Sequence, residues 1–209
     1  MFTIILVLTV LFAALLYWFP VRHWFNRWGT TPEEVTSAMP GDKVITNPTN
    51  SAMLSVTVAT GPEKVWPWLV QMGYQRGGMY SYDWLDRLFG FLDRPSAKRV
   101  LPQFQHLSVG DKIPWGHGEY LTVNALEACK SLVLDYQGHD MEWVWQFVLY
   151  PLDANHTRLV TRGIERTPKS FIWRLGMLFM EPAAFIMTRR MLLGVKQRAE
   201  NSYGQHENN

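Results

Sequence analysis

Residues 142–150 read Glu142-Trp143-Val144-Trp145-Gln146-Phe147-Val148-Leu149-Tyr150. Successive side chains of a β-strand point to opposite faces of its sheet. Trp143, Trp145, Phe147 and Leu149 therefore share one face, and Glu142, Val144, Gln146 and Val148 share the other. A face this aromatic is expected to point inward, either as ordinary core packing or as the wall of a cavity.

Other strands flank this one. Segments 112–115, 120–126, 131–136 and 158–164 are turn-bounded and follow one another as a meander, with a hairpin loop at Asp153-Ala154-Asn155-His156. Upstream, segment 53–59 is β-branched and partly alternating, which predicts a further strand. Gly61-Pro62-Glu63 then opens a helix whose apolar positions are Val65, Trp66, Leu69, Val70 and Met72, with Gly73 closing it. Pro67 is early enough in that helix to be tolerated. A glycine-containing turn at 75–78 leads to a second short helix with Ser81 as its N-cap, ending near Gly90. Residues 91–109 look irregular. Thr167-Pro168 is expected to cap a final helical region that reaches about Tyr203 and is interrupted at Pro182. Periodicity gives an α+β class. The order of elements gives the helix-grip fold, a curved antiparallel sheet around a long C-terminal helix with a cavity between them.

The N-terminus has a different character. Residues 1–19 carry no charged side chain. A helix of that length is roughly 28 Å long, close to the ~30 Å hydrocarbon core of a bilayer. Tyr17, Trp18 and Trp24 fall where an aromatic belt would lie, and Pro20 ends the span. A cleaved signal peptide wants a positive n-region and a small-residue cleavage site, and this segment has neither. The reading is a transmembrane anchor over 1–20. Arg22 and Arg27 just after it predict an inner-membrane, single-pass chain with its C-terminal domain in the cytoplasm. Residues 21–52 read as a linker punctuated by Gly29, Pro32, Pro40, Gly41 and Pro48, with one short helix started by Thr31-Pro32-Glu33-Glu34. The globular domain is expected over 53–203, followed by a disordered tail, 204–209.

Bulk composition narrows the function. The 209 residues suffice for a single domain after the anchor. A net charge of +2, without a basic run interleaved with aromatics, lacks the footprint of a nucleic-acid binder. Cys129 is the single cysteine, so no intrachain disulfide forms. The six histidines are scattered, and no metal site or cofactor is expected. No GxSxG elbow, P-loop or dinucleotide fingerprint occurs, which removes enzymes that depend on those motifs. Ten tryptophans suit a large aromatic pocket, a membrane-interface belt, or both.

Four stretches carry a resemblance to a known family: VWPWLVQMG at 65–73, RGGMYSYDWLDRL at 76–88, VGDKIPWG at 109–116 and MEPAAFIMTRRMLLGVKQRAE at 180–200. Together they resemble membrane-anchored bacterial members of the SRPBCC superfamily, which includes START-like lipid-transfer domains and polyketide cyclase/dehydrase-like proteins. The resemblance covers roughly residues 29–200. It implies a helix-grip fold with a hydrophobic ligand cavity and specifies no reaction.

Within that frame, Trp84, Trp115, Trp143, Trp145 and Phe147 are the candidate lining. Tyr80, Tyr82 and Asp83, at the start of a short helix, are the candidate polar end that orients a ligand head. The plainer reading of those three is a capped helix with packed tyrosines. His117 and Glu119 flank Gly118 and can do acid–base work, although the surrounding glycines argue for an exposed turn. His139-Asp140 invites the same reading. Arg189, Arg190, Lys196 and Arg198 form a basic face, either a solvated surface or a weak attraction for anionic lipid. The apolar stretch 171–187 contains Arg174, Glu181 and Pro182, so a core helix touching the bilayer is favoured over a second span.

The expected function is a membrane-tethered binding domain for a lipid or other apolar small molecule. An enzyme resembling the polyketide cyclases or dehydratases, with Asp83, His117 or Glu119 moving protons, is the competing class. A membrane-associated protein-interaction scaffold is the third.

Overall fold

The computed structural model describes residues 2, 5, 6, 8, 9, 12, 17–138, 141–168 and 170–204. A π-helical turn at Tyr17–Val21 leads into α1 (Arg22–Phe25) and α2 (Pro32–Thr36). Then come β1 (Asn50–Val58), α3 (Pro62–Val70) and α4 (Asp83–Leu88). A 3₁₀ turn at Pro102–Phe104 precedes the meander β2 (Lys112–Gly116), β3 (Glu119–Glu127), β4 (Ser131–Gln137), β5 (Glu142–Asp153) and β6 (His156–Arg166), and α5 (Phe171–Gly204) closes the chain.

The six strands make one antiparallel sheet in the order β1-β6-β5-β4-β3-β2. The meander is the expected one. Each strand pairs with its sequence neighbour, and β1 adds to the far edge beside β6. Between β5 and β6 only Ala154 and Asn155 are left to turn, and Asp153 Oδ1 accepts from the Asn155 N–H at 2.7 Å. That bond is a local Asx turn, which is why this hairpin loop can be so short.

The alternation along β5 sorts as its period requires. Trp145, Phe147 and Leu149 join Leu132, Leu134 and Leu159 in the core, against Trp68 and Leu69 of α3 and Met191, Leu192 and Val195 of α5. A fully buried side chain of this size contributes about 1.5–3 kcal/mol. Val144 and Val148 face the other way, where Ile45 and Met39 cover them.

That cover comes from the segment read as a linker, which lies as a strap across the outer face of the sheet. Gln146, fully buried, accepts from the Gly41 N–H and donates to Asp42 Oδ1, both at 2.8 Å. Arg162 Nη1 pairs with Asp42 Oδ2 at 2.6 Å, and its Nη2 donates to the Ser37 carbonyl at 3.0 Å. Strap segments carry no helical or strand period, because their contacts are single anchor points with turns between. The α2 start is as expected, a capping box in which Thr31 and Glu34 satisfy each other's backbone N–H groups.

Two helix boundaries differ from expectation. Ser170, three residues beyond Thr167, caps α5 by accepting from the Trp173 N–H at 3.2 Å. The same helix runs unbroken through Pro182. A proline removes one i→i−4 bond from a helix. Here the buried Phe185, Met191 and Leu192 that follow supply tertiary packing that outweighs it.

Among the described residues no helix is long and apolar enough to cross a membrane. Residues 1, 3, 4, 7, 10, 11 and 13–16 of the expected anchor lie outside the described residues, as do His139, Asp140 and 205–209 of the expected tail. The described apolar side chains there, such as Phe2 and Phe12, are exposed.

Candidate functional site

Between the inner face of the sheet and the first half of α5 lies a cavity of about 420 Å³. One wall is aromatic. Trp143 and Trp145, two apart on β5, stack at 5.2 Å between ring centroids, and Trp115 from β2 packs on both at 5.1 and 5.5 Å. Phe91 extends the wall at 4.8 Å from Trp115. The sheet makes room for this: Gly163 sits directly opposite Trp145, and a Cβ there would come within 3.3 Å of the Trp143 indole nitrogen. The facing wall is softer, with Met177, Met180 and Met187 on α5. Thioether side chains suit an apolar site that adapts to its contents. A smaller void of about 130 Å³ adjoins the first, sharing Trp143, Trp145, Glu165, Met177, Ala184 and Thr188.

Three of the expected lining residues, Trp115, Trp143 and Trp145, therefore meet as one surface. Phe147 packs behind Trp145 at 4.8 Å and is wholly inside the core rather than on the cavity wall. Trp84 is a correction. It is 66% exposed on the outer side of α4.

The expected polar end also divides differently. Tyr80 is fully buried at a φ of +58°, its hydroxyl accepting from Gln71 Nε2 at 2.9 Å and its ring covered by the Arg198 guanidinium at 4.7 Å. Burial pushes its phenol well above the usual range, so it stays neutral. Tyr82 lies at the surface with the Arg190 guanidinium 5.7 Å over its ring. Asp83 accepts from the Ser96 N–H at 3.1 Å and from Ser96 Oγ at 2.7 Å, which anchors the irregular segment after α4. None of these three lines the cavity among the described contacts. They build its frame.

The polar groups that do line it are Ser81, Asp86, Glu165 and Thr188. Ser81 is not the α4 cap; that position is Tyr82, without a side-chain cap bond. Instead Ser81 Oγ donates to Asp86 Oδ1 at 2.6 Å. Asp86 is completely buried, and among the described residues its Oδ2 has no hydrogen-bond partner. Burial, with the neighbouring Asp83 charge adding to it, raises the Asp86 carboxyl to about 6. Burial likewise raises Glu165, against the pull of an Asn50 Nδ2 bond at 3.0 Å.

Asp86 escaped the sequence reading because α4 is inverted. Its apolar Trp84 and Leu88 face outward, and a carboxylate faces in. An amphipathic reading of six residues cannot see that. The available signal was a serine five residues before it, on the other side of the helix start.

His117 and Glu119 do not reach the cavity. His117, at a φ of +51°, places Nε2 3.0 Å from the Phe89 carbonyl and so ties the β2–β3 turn to the end of α4. Glu119 is exposed beside Tyr136. The expected basic face is also redistributed. Arg189 covers Trp28, Arg190 covers Tyr82, Lys196 Nζ donates to the Thr57 carbonyl at 2.6 Å, and Arg198 Nε donates to the Ala97 carbonyl at 2.9 Å. These cations fasten α5 to four different segments. Among the described residues, no three of His, Cys, Asp and Glu gather as a metal site.

No protein-family model matches the chain, and no curated protein sequence matches it. Similar solved structures include a Mesorhizobium loti protein, 17% identical over 73% of this chain and 98% of that one, with a TM-score of 0.41. A Chromobacterium violaceum protein is 11% identical over 72% of this chain and 97% of that one, with a TM-score of 0.44. An aromatase/cyclase from a Streptomyces species is 15% identical over 72% of this chain and 93% of that one, with a TM-score of 0.40.

Proposed function

We propose that this chain is a membrane-tethered binding domain that holds an apolar small molecule or lipid between its sheet and its last helix. The observation that carries the reading is the cavity of about 420 Å³ walled by Trp115, Trp143 and Trp145. Protein interiors rarely leave voids larger than a water molecule, so a core hollowed to this extent is built to be filled. A scaffold that binds only another protein has no need of it.

The tether rests on the uncharged run 1–19. Support for a bilayer nearby also comes from α5, where Phe171, Leu175, Met180 and Ile186 are exposed along the stretch that walls the cavity. Anchoring holds the mouth of the site close to molecules that are scarce in water. With Arg22 and Arg27 on the inner side, the source of the ligand is the cytoplasmic leaflet.

A second reading, a cyclase- or dehydratase-like enzyme, draws on one observation: two carboxyls with raised pKa, Asp86 and Glu165, line the same cavity. It replaces the expected proton-handling trio of Asp83, His117 and Glu119, which face elsewhere.

Native mass spectrometry and lipid extraction of the detergent-purified full chain test the binding reading. The expected result is a co-purifying apolar molecule and a rise in melting temperature with added apolar ligands. Recovery of an empty chain under several conditions, with no thermal shift, contradicts it. Release of a chemically altered ligand favours the enzyme.

A further inference from the structure

Resting on the cavity reading above, we infer that the ligand carries a hydrogen-bond-donating head, a protonated amine above all, and that Asp86 receives it. A site that took fatty acids or other apolar anions needs a base or a set of unpaired donors at its polar end. This one has the opposite. Its described titratable lining residues are two carboxyls, Asp86 and Glu165, and no described lining residue is basic.

The two carboxyls are not equivalent. Glu165 is partly spoken for, since Asn50 Nδ2 donates to its Oε1 at 3.0 Å. Asp86 is held on one side only. Ser81 Oγ fixes Oδ1 at 2.6 Å, while Oδ2 is buried without a partner among the described residues. An acceptor left unsatisfied in an apolar interior is destabilising, more so if charged, so folds retain one where something else supplies the donor. The Ser81 bond orients the carboxyl, and Trp115, Trp143 and Trp145 line the same cavity. Indole faces attract organic cations, which adds to the preference for an ammonium over a neutral hydroxyl. An apolar carboxylate in the same place would set like charges together in a medium of low dielectric, and no described lining residue is basic.

Three probes that share one ring system separate these possibilities: 2-naphthylmethylamine, 2-naphthylmethanol and 2-naphthoate. Each is titrated calorimetrically into the full chain in lipid nanodiscs at pH 7.5, with empty nanodiscs subtracted. The amine is expected to bind tightest and the carboxylate weakest, at least about tenfold apart, as a charge-assisted hydrogen bond implies. Asp86→Asn is expected to bring the amine down to the level of the alcohol while leaving the alcohol within about threefold of its original affinity. The wild-type order alone tests the idea if the variant fails to fold. Equal binding of all three, or tightest binding of the carboxylate, overturns the inference and leaves the cavity reading standing. Absence of binding by every probe overturns both.

Discussion

Arg22 and Glu181, 159 positions apart, form a two-pronged ion pair in which Nε lies 2.7 Å from Oε2 and Nη2 lies 2.7 Å from Oε1. The same Nη2 donates to Asn50 Oδ1 at 3.1 Å, and Asn50 passes a bond on to Glu165 on the cavity wall. One chain of polar contacts thus joins the residue just past the expected anchor, the first half of α5, the start of β1 and the site. Beside it, Phe25 stacks on Phe185 at 4.4 Å. The joint is part apolar and part ionic, and the ionic part is only partly exposed, at 27% for Arg22 and 11% for Glu181.

Glu181→Gln is therefore expected to lower stability by about 1–3 kcal/mol, because it removes the negative member of a partly buried, two-pronged ion pair. Arg22→Met combined with Glu181→Leu should cost less than the sum of the two single changes. Denaturant titration of the four proteins in a double-mutant cycle measures the coupling, and strict additivity contradicts the joint.

Ala184 lines both the main cavity and the smaller one beside it. Ala184→Phe should fill the space that a ligand needs. The expected outcome is loss of the ligand-induced rise in melting temperature, with the empty protein melting within a few degrees of the original. A few degrees corresponds to about 1 kcal/mol for a domain of this size. If ligands shift the variant as strongly as the wild type, they bind elsewhere.

Much of the fold is legible in the residues, and the reason is periodicity. Every strand of the meander falls within a few residues of its expectation, since the period of two is a local property of the strand backbone. The strap is different. Met39, Gly41, Asp42 and Ile45 meet the sheet one at a time, so their contacts leave no repeating trace. The site divides along the same line. Trp115, Trp143 and Trp145 are strand residues whose direction follows from the alternation, and they do line the cavity. Tyr80, Tyr82, Asp83 and Trp84 sit at a loop–helix junction, where direction is set by long-range partners: Gln71, Arg190 and Ser96. Those partners are chosen by the folded chain, and the polar group left facing inward was Asp86.

The pH dependence of stability follows from that carboxyl. Its folded pKa, about 6, lies above the ordinary value near ~4 because burial, and then the Asp83 charge, disfavour the ionised form while Ser81 acts in the other direction. Such a group contributes stability that is fully present below about pH 4 and lost as pH climbs through about 6. Removing it by Asp86→Asn should raise the stability of the empty protein at pH 7.5 by about 1–3 kcal/mol, and should change little at pH 4. Glu165 is also raised but is common to both proteins, so the difference between their melting curves from pH 4 to 8 isolates Asp86. A difference that does not vary with pH contradicts the assignment.

The frame behind the site makes the sharpest demand on a single position. Gly194 of α5 passes so close to the loop before α4 that an added Cβ would lie 2.2 Å from the Tyr80 carbonyl oxygen and 3.0 Å from the Tyr80 Cβ. Neither neighbour is free to give way. Tyr80 holds an uncommon left-handed backbone, at a φ of +58°, which costs on the order of 1–3 kcal/mol and persists because its surroundings fix it. Its hydroxyl is bonded to Gln71, and its ring lies between Trp68 and the Arg198 guanidinium. Helix propensity alone favours Ala over Gly by about 1 kcal/mol. The contact should reverse that sign, and Gly194→Ala is expected to destabilise the domain by about 2 kcal/mol or more, as overpacking in a closed core does. Since Ser81 and α4 follow Tyr80 directly, the same change should loosen the Asp86 side of the cavity. Hydrogen exchange over residues 79–90 is expected to speed up by more than that of β5 and β6. A neutral or stabilising Gly194→Ala contradicts the close approach of α5 to this loop.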